Sequence, residues 1–217
     1  MTQPLPLIIA LEGNIGSGKS TILKGLETHG FKVLQEPLDE WDSYRDSNGS
    51  MLEHLYRDPK KHAFTFQIMC LHTRAKTLQE AVLECQQNNI PVLIMERSLL
   101  TTYQVFTKVM IEEGNISPLE ARIFRDIHLP LQGSMANVPI HAVFIDTHVN
   151  YCMGRIQARA RGGEDQITMD YLTKLDKRHR QWLNMVNHYH VNGDDIKENV
   201  LVDVMSYIRN LLTLRAC

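Results

Sequence analysis

Cysteine is scarce and scattered in this chain. Its four, Cys70, Cys85, Cys152 and Cys217, lie far apart with no Cys-x-x-Cys pair among them. That spacing excludes the usual thiolate metal sites. A chain of 217 residues can bury about 70% of its unfolded surface and needs no covalent staples. A reducing compartment is the expectation. An excess of one charge is also missing: Lys plus Arg total 23 against 25 Asp plus Glu, for a net charge of −2. This balance excludes a nucleic-acid coat or a polybasic membrane binder, so any anion must be held by a local site. The longest apolar stretch near the start, Leu5–Leu11, is too short to span a bilayer. No Lys or Arg precedes Lys19, so no secretory or transit segment is expected. The reading is a soluble cytoplasmic protein with neither nucleic acid nor membrane as partner. Repeats, low-complexity tracts and Gly/Ser/Pro linkers are lacking too, which argues for one domain over residues 1–217.

What is present is alternation. Short, continuously apolar runs at Leu7–Leu11, Val33–Gln35, Val92–Met95, Ala142–Ile145 and Tyr189–Val191 read as strands covered on both faces. Segments of helical length separate them: Lys19–Thr28, Lys60–Asn88, Leu99–Glu113, Ser117–His128, Asn150–Arg159, Tyr171–Asn187 and Val200–Leu212. Pro91 disfavours helix at Ile90 and ends the longest of them. Strands alternating with helices predict an α/β fold with a five-stranded parallel sheet flanked by helices on both faces.

The first strand runs into Gly13-Asn14-Ile15-Gly16-Ser17-Gly18-Lys19-Ser20, followed by Thr21 and a helical pattern. This is G-x-x-x-x-G-K-[ST] in the strand–loop–helix context that the phosphate-binding loop requires. Glycines let backbone N–H groups wrap a β-phosphate, and the helix N-terminus adds partial positive charge. Lys19 reaches the β/γ-phosphates and the Ser20 hydroxyl can ligate Mg²⁺. A nucleoside-triphosphate site follows. The loop alone does not separate a switch GTPase, a motor ATPase and a small-molecule kinase. No Asn-Lys-x-Asp base-reading motif of a GTPase is present.

Ligands of parallel sheets gather at the carboxyl ends of the strands. Glu36 follows the second strand there and could accept the proton of an attacking hydroxyl. Glu96 and Arg97 end the third, where Glu96 could hold Mg²⁺ through water and Arg97 could bridge acceptor and transferred group. Asp146 ends the fourth and is a second candidate for the cation. Arg155 and Arg159 share one helical face, with Arg161 beyond, at the mouth of a Gly-Gly loop. Unpaired like charges so placed suit an anion clamp for phosphoryl transfer.

Taken together, Gly13–Ser20, Glu36-Pro37 with Trp41, Tyr56-Arg57-Asp58-Pro59, Phe66-Gln67, Glu96-Arg97-Ser98 and Arg155–Glu164 resemble the deoxynucleoside kinase family from Ile8 to about Leu212. The resemblance implies a P-loop kinase fold with an Arg-rich lid, ATP and Mg²⁺, and usually a homodimer. It implies Glu36 as general base assisted by Arg97, and Tyr56 with Glu164 on the sugar 3′-hydroxyl. Gln67 would contact the base, Phe106 would stack on it, and Trp41 and Phe66 would wall the slot. Arg159 and Arg161 would belong to the lid, and Asn192-Gly193-Asp194 to the loop holding the adenine.

The sequence departs from the family where bases are distinguished. Arg74 stands where deoxycytidine and deoxyguanosine kinases carry Arg, but Thr102 stands where those carry Asp and thymidine-using members carry Ala. With no acid at 102, Arg74 is expected to be loosely tethered and to swing toward solvent. The implied activity is phosphorylation of the 5′-hydroxyl of pyrimidine deoxynucleosides in nucleotide salvage. The alternatives are a purine-preferring member, a nucleoside monophosphate kinase of the same fold, and a regulatory P-loop NTPase.

Overall fold

A computed structural model describes residues 4–134 and 140–216; Cys217 lies outside them. Five strands form one parallel sheet in the order β2-β5-β1-β6-β7: β1 (Leu7–Glu12), β2 (Lys32–Leu34), β5 (Val92–Glu96), β6 (Ile140–Asp146) and β7 (His188–Asn192). β3 (Arg45–Asp46) and β4 (Gly49–Ser50) make a separate small hairpin. All five predicted strands are present, as are all seven helical segments.

The unbroken apolar character of β1 follows from its central position. Leu7, Ile9 and Leu11 face α1 (Lys19–Thr28) and α10 (Lys197–Ala216), packing on Leu23, Leu26, Val204 and Ile208. Ile8 and Ala10 face α4 (Pro59–Gln87) and α7 (Pro118–Ser134), packing on Leu71, Leu78 and Phe124. A strand covered on both faces has no polar side to alternate with.

Two short helices, α2 (Leu38–Ser43) and α3 (Met51–Arg57), carry no periodic signal long enough to read from the sequence. α3 is started by a capping box in which Ser50 and Glu53 bond each other's backbone N–H. The predicted Leu99–Glu113 helix is continuous but not uniform. It runs as α5 (Leu99–Thr101), a π-helical stretch over Thr102–Thr107 and α6 (Lys108–Glu112). Thr107 Oγ1 donates to Thr102 O at 2.7 Å across the widened turn. α7 continues past Pro130, beyond the predicted end at His128, carried by Phe124 and His128 packed against Tyr103. α9 (Met169–Leu183) packs Leu175, Trp182 and Leu183 on Ala142 and Phe144 of β6, and α8 (Val149–Arg159) packs Cys152 and Ile156 on Leu172 of α9.

The end of α4 shows its stop signal in detail. Asn89 takes a left-handed φ of 54° while Ile90 N donates to Cys85 O at 2.8 Å. These are the marks of a Schellman cap, whose left-handed residue is most comfortable as glycine. Asn89 is exposed. Asn89→Gly should therefore hold or raise stability by up to about 1 kcal/mol, whereas Asn89→Val should cost about 1–2 kcal/mol. Denaturant midpoints of the two variants check this, and equal midpoints would contradict it.

Candidate active site

The carboxyl ends of β1, β2 and β5 converge on a cavity of about 370 Å³. The phosphate-binding loop forms its floor. Gly13 and Gly16 have φ of 145° and 78°, and a Cβ at Gly16 would stand 2.5 Å from Cys152 O. Only glycine lets this loop lie so close to α8. Lys19 opens α1 and is buried, its Nζ donating to Asn14 O at 2.7 Å and Gly13 O at 3.2 Å. Burial, then the positive charge of Arg97, lower the Lys19 pKa to about 7. Ser20 Oγ donates to both carboxylate oxygens of Glu96, at 2.9 and 3.1 Å. A hydroxyl beside a carboxylate is an all-oxygen donor set that fits a hard cation such as Mg²⁺. Burial, then the charge of Glu36, push the Glu96 pKa up, and a cation there would reverse that.

The wall expected to receive an acceptor is organised around Glu36. Arg97 Nε donates to Glu36 Oε1 at 3.0 Å, and Arg74 Nη2 donates to the same oxygen. Burial alone would raise this carboxyl, but Arg74, Arg97 and Lys19 together hold it down at about 2. The expectation that Arg74 swings to solvent is therefore wrong. Arg74 is buried, bonds Glu36, donates through Nη1 to Glu96 O at 3.2 Å and lies over the Trp41 ring. Its missing Asp partner is replaced by Glu36 from the loop after β2. Among the described residues Arg74 Nε and Thr102 Oγ1 have no hydrogen-bond partner, though both are buried, and both residues line the cavity.

Arg97 is held tightly. Its φ of 64° is left-handed, which costs a non-glycine residue about 1–2 kcal/mol. Its N–H donates to Leu11 O at 3.0 Å, Nη1 donates to Gly13 O at 2.6 Å, and its guanidinium sits 4.8 Å from the Phe106 ring centre. Glu12, unremarked in the sequence, secures the next turn by accepting from Ser98 N at 2.9 Å and Thr101 Oγ1 at 2.5 Å. Its position directly before Gly13, at a strand end, was the available signal.

Trp41, Phe66, Gln67 and Phe106 line an aromatic slot, with the Trp41 and Phe66 rings edge to face at 5.8 Å. Trp41 Nε1 donates to Thr73 Oγ1 at 2.8 Å, which fixes the indole. Leu38, Leu52, Leu55, Cys70 and Tyr171 also line it and were not anticipated; the three leucines lie on helices too short to show a period, and Cys70 and Tyr171 on long helices whose rotation is set only by packing. Tyr56 is present as expected, and burial, then the Glu164 carboxylate, push its phenol up, so it remains protonated.

The arginines are not unpaired. Arg159 binds Glu164 twice, at 2.7 and 2.5 Å, and Arg161 reaches it at 3.4 Å. Arg155 bonds Ser17 O at 3.0 Å and Gly193 O at 3.4 Å, joining the phosphate loop to the 192–194 turn. Arg155, Arg159 and Arg161 all face the cavity. Asn192, Gly193 and Asp194 stand outside its wall, tied to β6 by Gly193 N donating to Asp146 O at 2.8 Å and to the start of α8 by His148 N donating to Asp194 Oδ1 at 2.8 Å. Asp146, the second cation candidate, is occupied by Arg180 and His190 and does not line the cavity.

A model of the family described as deoxynucleoside kinase matches residues 9–213. The probable deoxycytidine kinase of fowlpox virus (strain NVSL) is 32% identical over 193 residues, covering 86% of this chain and 78% of that protein. Deoxycytidine kinase 2 of Gallus gallus is 31% identical over 193 residues, covering 81% and 73%. The deoxyadenosine kinase from M. mycoides, solved with its products dCMP and a flexible dCDP bound, has the same fold. Its TM-score is 0.75 at 23% identity, covering 94% of this chain and all of that one.

If a triphosphate binds at Lys19, the environment of that ammonium should make the binding pH-dependent. The free ammonium has a pKa of about 7, and bound phosphates would restore its charge. A group lowered in the free protein and restored in the complex takes up a proton on binding. Triphosphate affinity should then weaken by up to about tenfold per pH unit above 7. Calorimetry between pH 7.5 and 9, in buffers of different ionisation enthalpy, should register proton uptake that vanishes in Lys19→Met; equal uptake in both proteins would contradict the assignment.

Proposed function

The chain belongs to the deoxynucleoside kinase family, and on that premise we propose that it transfers the γ-phosphoryl group of ATP to the 5′-hydroxyl of pyrimidine deoxynucleosides. The observation that carries this reading is a single cavity joining the phosphate loop, an ionised Glu36 and an aromatic slot. In this reading Gly13–Thr21 cradle the triphosphate and Lys19 balances its charge. Ser20 and Glu96 would hold Mg²⁺, which when bound neutralises charge on the phosphates. Arg159 and Arg161 leave Glu164 for the phosphates, freeing Glu164 and Tyr56 for the sugar 3′-hydroxyl. Arg155 and the 192–194 turn receive the adenine side. Gln67 offers one donor and one acceptor to the base edge while Phe106 stacks on it.

Glu36 serves as acceptor for the 5′-hydroxyl proton. A carboxylate near pKa 2 is a weak base, which suits a loose transition state in which the hydroxyl proton departs late. Its larger task is orientation: Arg97 and Arg74 fix one oxygen, leaving the other for the substrate. Because the folded pKa is lowered, its charge persists as pH falls until about 2, so no acid limb near pH 4–6 should belong to Glu36.

The pyrimidine preference rests on Thr102. Its partnerless hydroxyl beside the base slot replaces a charged wall with a small neutral one, leaving room near a pyrimidine C5. We read the enzyme as a cytoplasmic salvage homodimer; the exposed stripe of Leu119, Ile123 and Ile127 along α7 supports a second copy packing there.

Steady-state kinetics with ATP and the four deoxynucleosides should give the highest kcat/KM for thymidine and deoxycytidine; preference for deoxyguanosine or deoxyadenosine would overturn the reading. Glu36→Gln should lower kcat by about 10²–10⁴-fold and lower Tm, since two buried guanidiniums lose their counter-ion. If kcat holds and only KM rises, Glu36 binds and does not act in the chemical step. Thr102→Ala should move the thymidine-to-deoxycytidine ratio of kcat/KM toward thymidine by about tenfold, the scale of a methyl-sized change. Competition assays with both substrates read this directly, and an unmoved ratio removes Thr102 from specificity.

A further inference from the structure

His179 lies in a run, Lys177-Arg178-His179-Arg180, whose charged neighbours suggest an exposed stretch of helix. The structure turns it the other way: the imidazole is fully buried. Its ring stacks on Phe144 at 6.4 Å and meets Phe106 edge-on at 6.3 Å. Nδ1 lies 2.8 Å from Leu175 O, a pure acceptor, so that nitrogen carries the proton. Nε2 is thereby an acceptor, and it faces Arg97 Nη1 at 3.4 Å. Burial, then the Arg97 charge, hold the ring well below the usual histidine range, which agrees with a neutral tautomer. A packing role alone would be met by an apolar side chain without the desolvation cost of an imidazole.

We propose that His179 is a positioning residue for phosphoryl transfer, acting through Arg97. The Arg97 guanidinium is bounded by four groups: Gly13 O, Glu36 Oε1, the face of Phe106 and His179 Nε2. Three of them belong to the phosphate loop, the acceptor wall and the base slot. His179 closes the remaining side from α9 and fixes the rotation of the guanidinium plane, on which the Nε bond to Glu36 depends. The proposal rests on the reading of Arg97 and Glu36 as acceptor-side machinery.

A double-mutant cycle with kcat and KM read separately tests it. His179→Phe keeps a ring against Phe144 and removes the acceptor; it should lower kcat about tenfold with the KM for ATP unchanged, the scale of one hydrogen bond to a charged group. His179→Gln, which can still accept from Arg97, should recover kcat to within about threefold of wild type. In an Arg97→Lys background, His179→Phe should have no further effect, because nothing is left to position. Tm of each variant separates these effects from unfolding, and His179→Leu serves in place of His179→Phe if the latter does not fold. Equal losses from His179→Phe in both backgrounds, or no rescue by His179→Gln, would overturn the proposal while leaving the function intact. No loss of kcat from Arg97→Lys itself would instead sink the reading on which it rests.

Discussion

A carboxylate buried between two guanidiniums governs this site. Glu36 comes from the loop after β2, Arg74 from the middle of α4 and Arg97 from the end of β5. No two are neighbours in the chain, so their meeting fixes the edge strand, the long helix and the strand between β2 and β1 relative to one another. Buried ions are costly unless paired and hydrogen-bonded. Here each has further partners: Glu96 O for Arg74, Gly13 O for Arg97. The charges that would orient an acceptor are thus also the ones that hold the acceptor wall against the phosphate floor.

The strained backbone at Arg97 belongs to the same arrangement. A left-handed arginine persists only where surrounding bonds over-determine it, and Leu11 O, Glu12 and Gly13 O supply them from a single stretch of β1 and its loop. The phosphate loop and Arg97 are consequently bonded directly to one another. The segment carrying Arg159 and Arg161 is tied instead to Glu164, farther along its own stretch of chain.

Much of this was legible in the sequence because it was local. The phosphate loop announces itself through glycine spacing, and the covered strands through unbroken apolar runs. Glu36, Glu96 and Arg97 follow from their places at strand ends. What stayed hidden depended on register between distant elements. The partner of Arg74 cannot be read from the interior of a 29-residue helix, whose rotation is set only by packing. His179 was masked by charged neighbours, and α2 and α3 are too short to show a period. The Arg155–Arg159 face looked like free charge because its acceptors are backbone carbonyls and a carboxylate five residues on.

The π-helical stretch over Thr102–Thr107 bears on how this pocket can change over generations. A π turn accommodates one residue more than an α turn between the same flanks. Deleting a single residue there would let the segment close into ordinary α-helix while α5 and α6 keep their ends. Such a deletion would rotate the residues at the Thr102 and Phe106 positions against the slot together. At this wall, chain length is a variable alongside side-chain identity, and a gap of one in a relative would carry as much meaning as a substitution.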